Sequence, residues 1–295
     1  MNDESHPLKA AIWMMGAVAS FSAMAVAGRE VSVEMNTFEI MMYRSFIGFI
    51  LLQGLILISR RGYEQVKTDR LSLHVQRNIF HFAGQNLWFY GIIVLPLSQL
   101  VALEFTNPIW VAILAPIFLK EKMTRIKIFA AILGFVGVLI VARPGVEPLN
   151  LGHAAGLGAA IFFAFNTLYT KQIARHETVY SVMFWMTLIQ FIFGLILALP
   201  GGIPIPTGIG AMWVVIVAVC GLTAHLCLTT ALSLAPATIV APMDFIRLPV
   251  ITIVGMVIYQ EPILWTVLIG AAIIFVGNFI NIRAEQKRRK AAFTA

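Results

Sequence analysis

Charge is scarce in this 295-residue chain. Only 12% of its residues are Asp, Glu, Lys or Arg, against about a quarter in an ordinary soluble domain. With 59% hydrophobic residues and a mean hydropathy of +0.87, a water-soluble surface cannot be assembled from what remains. Cysteine is scarcer still. Cys220 and Cys227 stand seven apart in one apolar run, two helical turns along one face, which points to core packing and implies neither a disulfide framework nor a metal cluster. The chain has no H-E-x-x-H helix, no G-x-S-x-G turn and no nucleotide-binding motif. An intramembrane enzyme is therefore left with little beyond two mid-membrane carboxylates, and a pore would want polar-lined helices. No cofactor is implied, and transport energy would have to come from an ion or solute gradient. The net charge of +7 does not signal nucleic acid, because the basic residues sit in short gaps between apolar runs and not on one face with stacking aromatics.

What is present is apolar length. A helix needs about 20 apolar residues to cross a hydrocarbon layer of about 30 Å. Charged or Pro/Gly breaks divide the chain into ten such segments: 8–27, 37–58, 74–95, 97–119, 124–142, 151–171, 179–199, 210–232, 237–259 and 263–282. Ala25-Val26-Ala27 resembles a signal-peptidase site, but only Lys9 precedes it as an n-region, and cleavage would remove a helix that the duplication below requires. With the N-terminus inside, the inner loops and tail hold sixteen basic residues: Lys9; Arg60, Arg61, Lys67 and Arg70; Lys120, Lys122, Arg125 and Lys127; Lys171 and Arg175; Arg283, Lys287, Arg288, Arg289 and Lys290. The outer loops hold two, Arg29 and Arg143. This bias predicts a multi-pass protein of the cytoplasmic membrane with both termini in the cytoplasm. Its partners are then the lipid bilayer and a small-molecule substrate; oligomeric state is not encoded.

A shift of 140 residues places Pro96 on Pro236, Glu104 on Asp244, Phe105 on Phe245, Glu121 on Glu261, Gly137 on Gly277 and Arg143 on Arg283. A shift of 142 places Gly16 on Gly158, Phe21 on Phe163 and Arg29 on Lys171. The predicted fold is all-α and membrane-integral: ten transmembrane helices as two five-helix repeats, 8–142 and 151–284, followed by a basic tail at 285–295. Five is odd, so the second repeat must be inverted. The charges agree, since Lys120, Lys122, Arg125 and Lys127 give way to Gln260, Pro262, Trp265 and Val267. Inverted repeats with one central site are the architecture of secondary transporters.

The run Leu103-Glu104-Phe105-Thr106-Asn107-Pro108, with Phe118-Leu119-Lys120-Glu121-Lys122 and Gly134-Phe135-Val136-Gly137-Val138 after it, resembles the EamA repeat of the drug/metabolite transporter superfamily. The second copy ends Tyr259-Gln260-Glu261-Pro262, then Gly270 and Gly277. The resemblance covers nearly the whole chain and implies a ten-helix metabolite transporter. The stretch Gly84-Gln85-Asn86-Leu87-Trp88-Phe89-Tyr90 through Asn107-Pro108 is similar to EamA members that import riboflavin. Related branches handle S-adenosylmethionine or export amino acids and drugs.

Ionisable residues inside spans are costly and are candidate functional groups. Glu104 and Asp244 each lie seven residues into their segments, roughly 10 Å deep, with Asn107 and Arg247 three residues on and expected on the same faces. An internal Asp244–Arg247 ion pair is the purely structural alternative. In the third segment Arg77, His81 and Gln85 step by four along one face, with Asn86 and Trp88 beside them; Asn166 and His225 are further candidates. Arg44, near the outer end of the second segment, is expected to snorkel to the interface. Pro108, Pro116, Pro242 and Pro249 free backbone carbonyls, which is tolerable only where protein or a cavity satisfies them.

Overall fold

The computed structural model describes residues 6–119, 124–143, 148–174, 176–235, 240 and 243–294. They form α1 (Pro7–Val31), α2 (Thr37–Ile58), a 3-10 turn (Gly62–Val66), α3 (Leu71–Val94), α4 (Leu97–Glu104), α5 (Asn107–Leu119), α6 (Arg125–Ala142), α7 (Leu151–Ile173), α8 (Val179–Ala198), α9 (Gly208–Leu234), α10 (Arg247–Tyr259) and α11 (Trp265–Thr294). Helix starts are set by side-chain oxygens that take up backbone N–H groups left without partners. Asn36 and Glu39 form a capping box at α2, Asn150 caps Gly152 and His153 at α7, and Thr178 caps Ser181 at α8.

Eight of the stretches are long and apolar enough to cross a membrane, α4 and α5 counting together as one. The other two of the ten are α3, which is long but polar, and α10, which is short because the ninth segment breaks at Phe245-Ile246; residues 237–239, 241 and 242 of that segment, Pro242 among them, lie outside the described residues. The molecule is apolar outside and partly polar inside. Ile117, Phe135, Ile196 and Val257 are exposed while Arg44, Arg77, His81, Gln85 and Arg247 are buried. That polarity suits a lipid surround.

The packing partners reveal a pseudo-two-fold. α1 packs along α9 and α3 along α7, while α2 packs on α8, α4 on α10 and α6 on α11. Exchanging the two repeats swaps the first two pairs and maps α2–α8 and α6–α11 each onto itself, while α4 and α10 belong to the matched fourth and ninth segments, α4 to the first half of one and α10 to the second half of the other. Individual contacts obey the same rule. A Cβ on Gly16 would lie 3.0 Å from Cys227 Sγ, and one on Gly158 would lie 3.0 Å from Leu87, the position 140 before Cys227. α6 and α11 cross backbone to backbone: a Cβ on Gly137 would stand 2.8 Å from the Gly270 carbonyl, and one on Gly277 would stand 3.1 Å from that of Ala130. As the chain passes from 130 to 137, its partner passes from 277 to 270. The two helices are antiparallel, and the repeats they close are inverted.

The fourth and ninth segments are interrupted at matched places, Phe105-Thr106 and Phe245-Ile246. Pro108 lacks the N–H that would bond to the Glu104 carbonyl, and Pro249 lacks the one for Phe245, so each helix breaks ahead of its proline. Asn278 of α11 donates to the Phe105 carbonyl at 2.9 Å, the satisfaction that broken backbone needs inside a membrane. Pro116 sits inside α5 without ending it.

The two faces are tied separately. On the basic-loop face Glu177 accepts hydrogen bonds from Thr68 (2.5 Å) and Ser181 (2.5 Å) and meets His74 Nε2 at 2.7 Å. Burial pushes this carboxyl up, but the bonds from Ser181, Thr68 and His74 outweigh it and hold Glu177 below the usual carboxylate range. On the opposite face Arg29 donates to Glu261 (2.5 Å) and to the Ile92 and Leu95 carbonyls, while Glu261 accepts the Leu97 N–H at 2.9 Å.

Two outcomes follow. Gly137→Val should destabilise the protein by about 1–3 kcal/mol, the usual range for overpacking, whereas Gly54→Ala, with nothing within 4 Å, should not lower the melting temperature in detergent; equal losses would argue against the close crossing. A group with a depressed native pKa contributes stability that is complete above its unfolded pKa and fades as pH falls through the native one. The melting-temperature gap between wild type and Glu177→Gln should therefore be full near pH 7 and close on acidification below about pH 4.

Candidate functional site

The matched breaks bring the two repeats together. The Phe105 and Phe245 rings lie 4.3 Å apart between centroids, and immediately beside them Glu104 and Asp244 end their helical turns. Arg247 reaches across to the other repeat. Its Nη2 donates to Glu104 Oε1 at 2.8 Å and its Nη1 to Oε2 at 3.2 Å, while Asp244 Oδ2 is 3.4 Å from Nη2. Trp88 Nε1 donates to Glu104 Oε2 at 2.9 Å. The arginine plane stands over Phe21 at 5.1 Å and Phe105 at 5.0 Å. The side chain of Arg247 is 5% exposed, Glu104 16% and Asp244 27%, so the guanidinium is enclosed while the carboxylates border more open space. Asp244 Oδ1 and Arg247 Nε have no hydrogen-bond partner among the described residues.

The internal Asp244–Arg247 pair expected from spacing is therefore the weaker of two contacts. Arg247 prefers the carboxylate of the other repeat because the break at Phe245-Ile246 takes Asp244 and Arg247 off a common helical face. The same holds for Glu104 and Asn107, which the break at Phe105-Thr106 separates. Asn107 turns instead to α7 and donates to the Ala160 carbonyl at 3.2 Å.

A second polar group lies on α3 and α9. The His81 and His225 rings are 5.6 Å apart; Phe21 meets His225 edge-on at 5.7 Å, and Phe163 meets His81 at 5.9 Å. Phe21 thus touches both the histidines and Arg247. Gln85 stands 140 residues before His225, and Gln85 Oε1 and His225 Nε2 both lack partners among the described residues. Asn86 donates to the Phe82 carbonyl, leaving its Oδ1 unpaired, and Asn166 Oδ1 is unpaired on α7. Among the described residues neither asparagine hydrogen-bonds to the carboxylate–arginine group.

Arg44 departs from expectation. It does not snorkel but is 5% exposed, because it points from α2 toward α9, where Gly221 leaves room for its guanidinium. Gln190, a lone amide in the apolar α8, escaped the sequence reading. It donates to Asn78 Oδ1 and His81 Nδ1, and its polarity in mid-span was the available signal. The Arg29–Glu261 tie was also missed as a contact, although the repeat had already matched both residues to counterparts.

The EamA-like transporter family model matches residues 8–143 and again 150–283. The chain belongs to the EamA-like transporter family. It is 26% identical to a riboflavin transporter of Vibrio cholerae across 98% of both chains. It is also 26% identical to an S-adenosylmethionine uptake transporter of Rickettsia felis, across 93% of this chain and 92% of the other. A protein of known crystal structure superposes with a TM-score of 0.64 at 14% identity, covering 94% of this chain and 98% of its own, so the fold is shared. This EamA-like protein is a multi-pass membrane protein and a transporter by family.

Arg247→Met leaves two carboxylates facing each other without the guanidinium and should cost about 3–5 kcal/mol, as losing one partner of a buried ion pair does. Arg247→Lys should recover only part, because an ammonium cannot grip both oxygens of Glu104. A melting temperature unchanged in Arg247→Met would remove the pair from the account of stability.

Proposed function

We propose that this EamA-like protein imports riboflavin across the cytoplasmic membrane as a secondary transporter, with both termini in the cytoplasm, and that its solute binds at the pseudo-two-fold axis. The observation that carries this reading is the meeting, at the matched helix breaks, of the Glu104–Arg247–Asp244 group with the rings of Phe21 and Phe105 and, through Phe21, with His225. Unpaired atoms on Gln85, Asn86, Asn166 and His225 add hydrogen-bonding capacity. A flat, uncharged, heteroatom-rich ring system suits aromatic faces interleaved with amides. Trp88 and Asn107 act as positioning residues, the first holding Glu104 and the second joining α5 to α7. Rocking of the inverted halves about this axis would expose one site to each side in turn. The relative named a riboflavin transporter and the basic inner loops support the cargo and the orientation.

A second reading has its own support. The free Asp244 Oδ1, in a site where Glu104 is a second carboxylate, would attract a sulfonium or ammonium group, and S-adenosylmethionine carries both; relatives of comparable similarity are named for its uptake.

Expression in a riboflavin auxotroph should restore growth on low riboflavin and give saturable uptake of labelled flavin. Glu104→Gln should lower that uptake at least tenfold with membrane levels unchanged. Uptake of labelled S-adenosylmethionine in place of flavin selects the second reading, and uptake of neither defeats both.

A further inference from the structure

Arg44 and Arg77 are the other arginines buried in the spans, 5% and 4% exposed, and neither contacts a carboxylate among the described residues. Arg44 Nε has no acceptor, and Nη1 meets only the Met41 thioether at 3.7 Å. The Arg44 guanidinium lies so close to α9 that a Cβ on Gly221 would be 2.7 Å from Nε and 3.1 Å from Nη2. Arg77 donates to Thr170 Oγ1 (2.8 Å) and Asn78 Oδ1 (3.2 Å) and meets Met186 Sδ at 3.8 Å. Each of these acceptors is neutral. The nearby polar groups are amides and an imidazole: Gln190 Nε2 donates to Asn78 Oδ1 at 3.0 Å and meets His81 Nδ1 at 2.5 Å.

A guanidinium does not lose its proton in a protein, so two full positive charges are enclosed here without a counter-charge, which a membrane interior strongly disfavours. A narrow cavity opens directly beside Arg44, between α2, α8 and α9, lined by Arg44, Ser45, Met186, Thr187 and Gln190 with Ala218. Met186 and Gln190 link it to Arg77, one by its sulfur and the other through Asn78. Its interior admits a group about the size of one water molecule. Met186 and Val217 occupy the positions that the repeat matches to Arg44 and Arg77, so the charge is confined to one repeat and is not part of the two-fold scaffold.

We propose that this cavity is a binding site for one small anion, receiving a halide or one oxygen of a terminal carboxylate, held by Arg44 and neutralised jointly with Arg77. The site is separate from the Glu104–Arg247–Asp244 group and stands whether or not a flavin is the cargo. The anion has two possible sources, a free ion or a carboxylate on the solute, with the same chemistry at the arginine.

The test uses the purified full-length protein in detergent, melted in sodium chloride, sodium formate or sodium methanesulfonate at equal ionic strength. Chloride and formate should raise the melting temperature saturably by several degrees over methanesulfonate, whose tetrahedral head is too bulky for the cavity. Arg44→Met should abolish that rise, and Arg77→Met should move its midpoint at least tenfold upward in anion concentration. Identical melting of the wild type in all three salts, or a full response in Arg44→Met, overturns the site. If Arg44→Met does not accumulate, Gly221→Ala displaces the guanidinium and keeps the charge, and an unshifted midpoint there overturns the site equally. In proteoliposomes, formate that competes with solute uptake assigns the anion to the cargo, whereas formate that stabilises without competing makes it a free ion; both results retain the site. No melting outcome depends on transport, so this proposal and the flavin reading fail independently.

Discussion

A duplicated unit with an odd number of crossings has no choice of orientation. After five helices the chain emerges on the far side, so the second copy enters upside down, and the axis relating the copies lies in the plane of the membrane. The helices that pack on their own counterparts, α2 on α8 and α6 on α11, meet at that axis, where α4 of the fourth segment also packs on α10 of the ninth. Glu104 and Asp244, distant in sequence, become neighbours there, and so do Phe105 and Phe245. Glycine at 137, 270 and 277 lets α6 and α11 approach to backbone contact, which suits helices whose association gains nothing from expelling water.

Within that frame the distribution of charge is uneven. At the axis one guanidinium serves two carboxylates, and it favours the one from the opposite repeat. Across α2, α3, α7 and α8 two guanidiniums have, among the described residues, only one amide, one hydroxyl and two thioethers as acceptors. Coulomb forces in a low-dielectric interior act over longer distances than in water, so neither group sets its charge in isolation. A carrier that binds and releases solute has reason to leave such groups incompletely paired, because a fully satisfied network has nothing to offer a ligand.

Both faces are tied between repeats, by Arg29 with Glu261 on one side and by Glu177 with Thr68 and His74 on the other. The rocking proposed above requires one tie to open while the other holds. The Arg29 tie also occupies backbone carbonyls at the end of α3, so its release would loosen the α3–α4 connection that precedes Glu104.

Hydrophobic runs, loop charges and self-similarity were enough to determine ten segments, their inversion and the matched acids, because bilayer thickness and insertion act directly on sequence-local quantities. The EamA resemblance was legible for the same reason: its motifs are contiguous. Contacts between segments were not legible. Spacing by three put Arg247 with Asp244, a contact present at 3.4 Å, and Asn107 with Glu104; prolines 108 and 249 break those helices, so that Arg247 also crosses to Glu104 of the other repeat at 2.8 Å while Asn107 turns to α7. Arg44 looked like an interfacial residue from its position, and only the glycine opposite, at 221, reveals that its guanidinium goes inward. The sequence by itself determined the apolar segments and which polar residues they carry; the tertiary structure decided which of those residues are enclosed and which meet, because partners more than a hundred residues apart are chosen by helix rotation and by breaks in the helices.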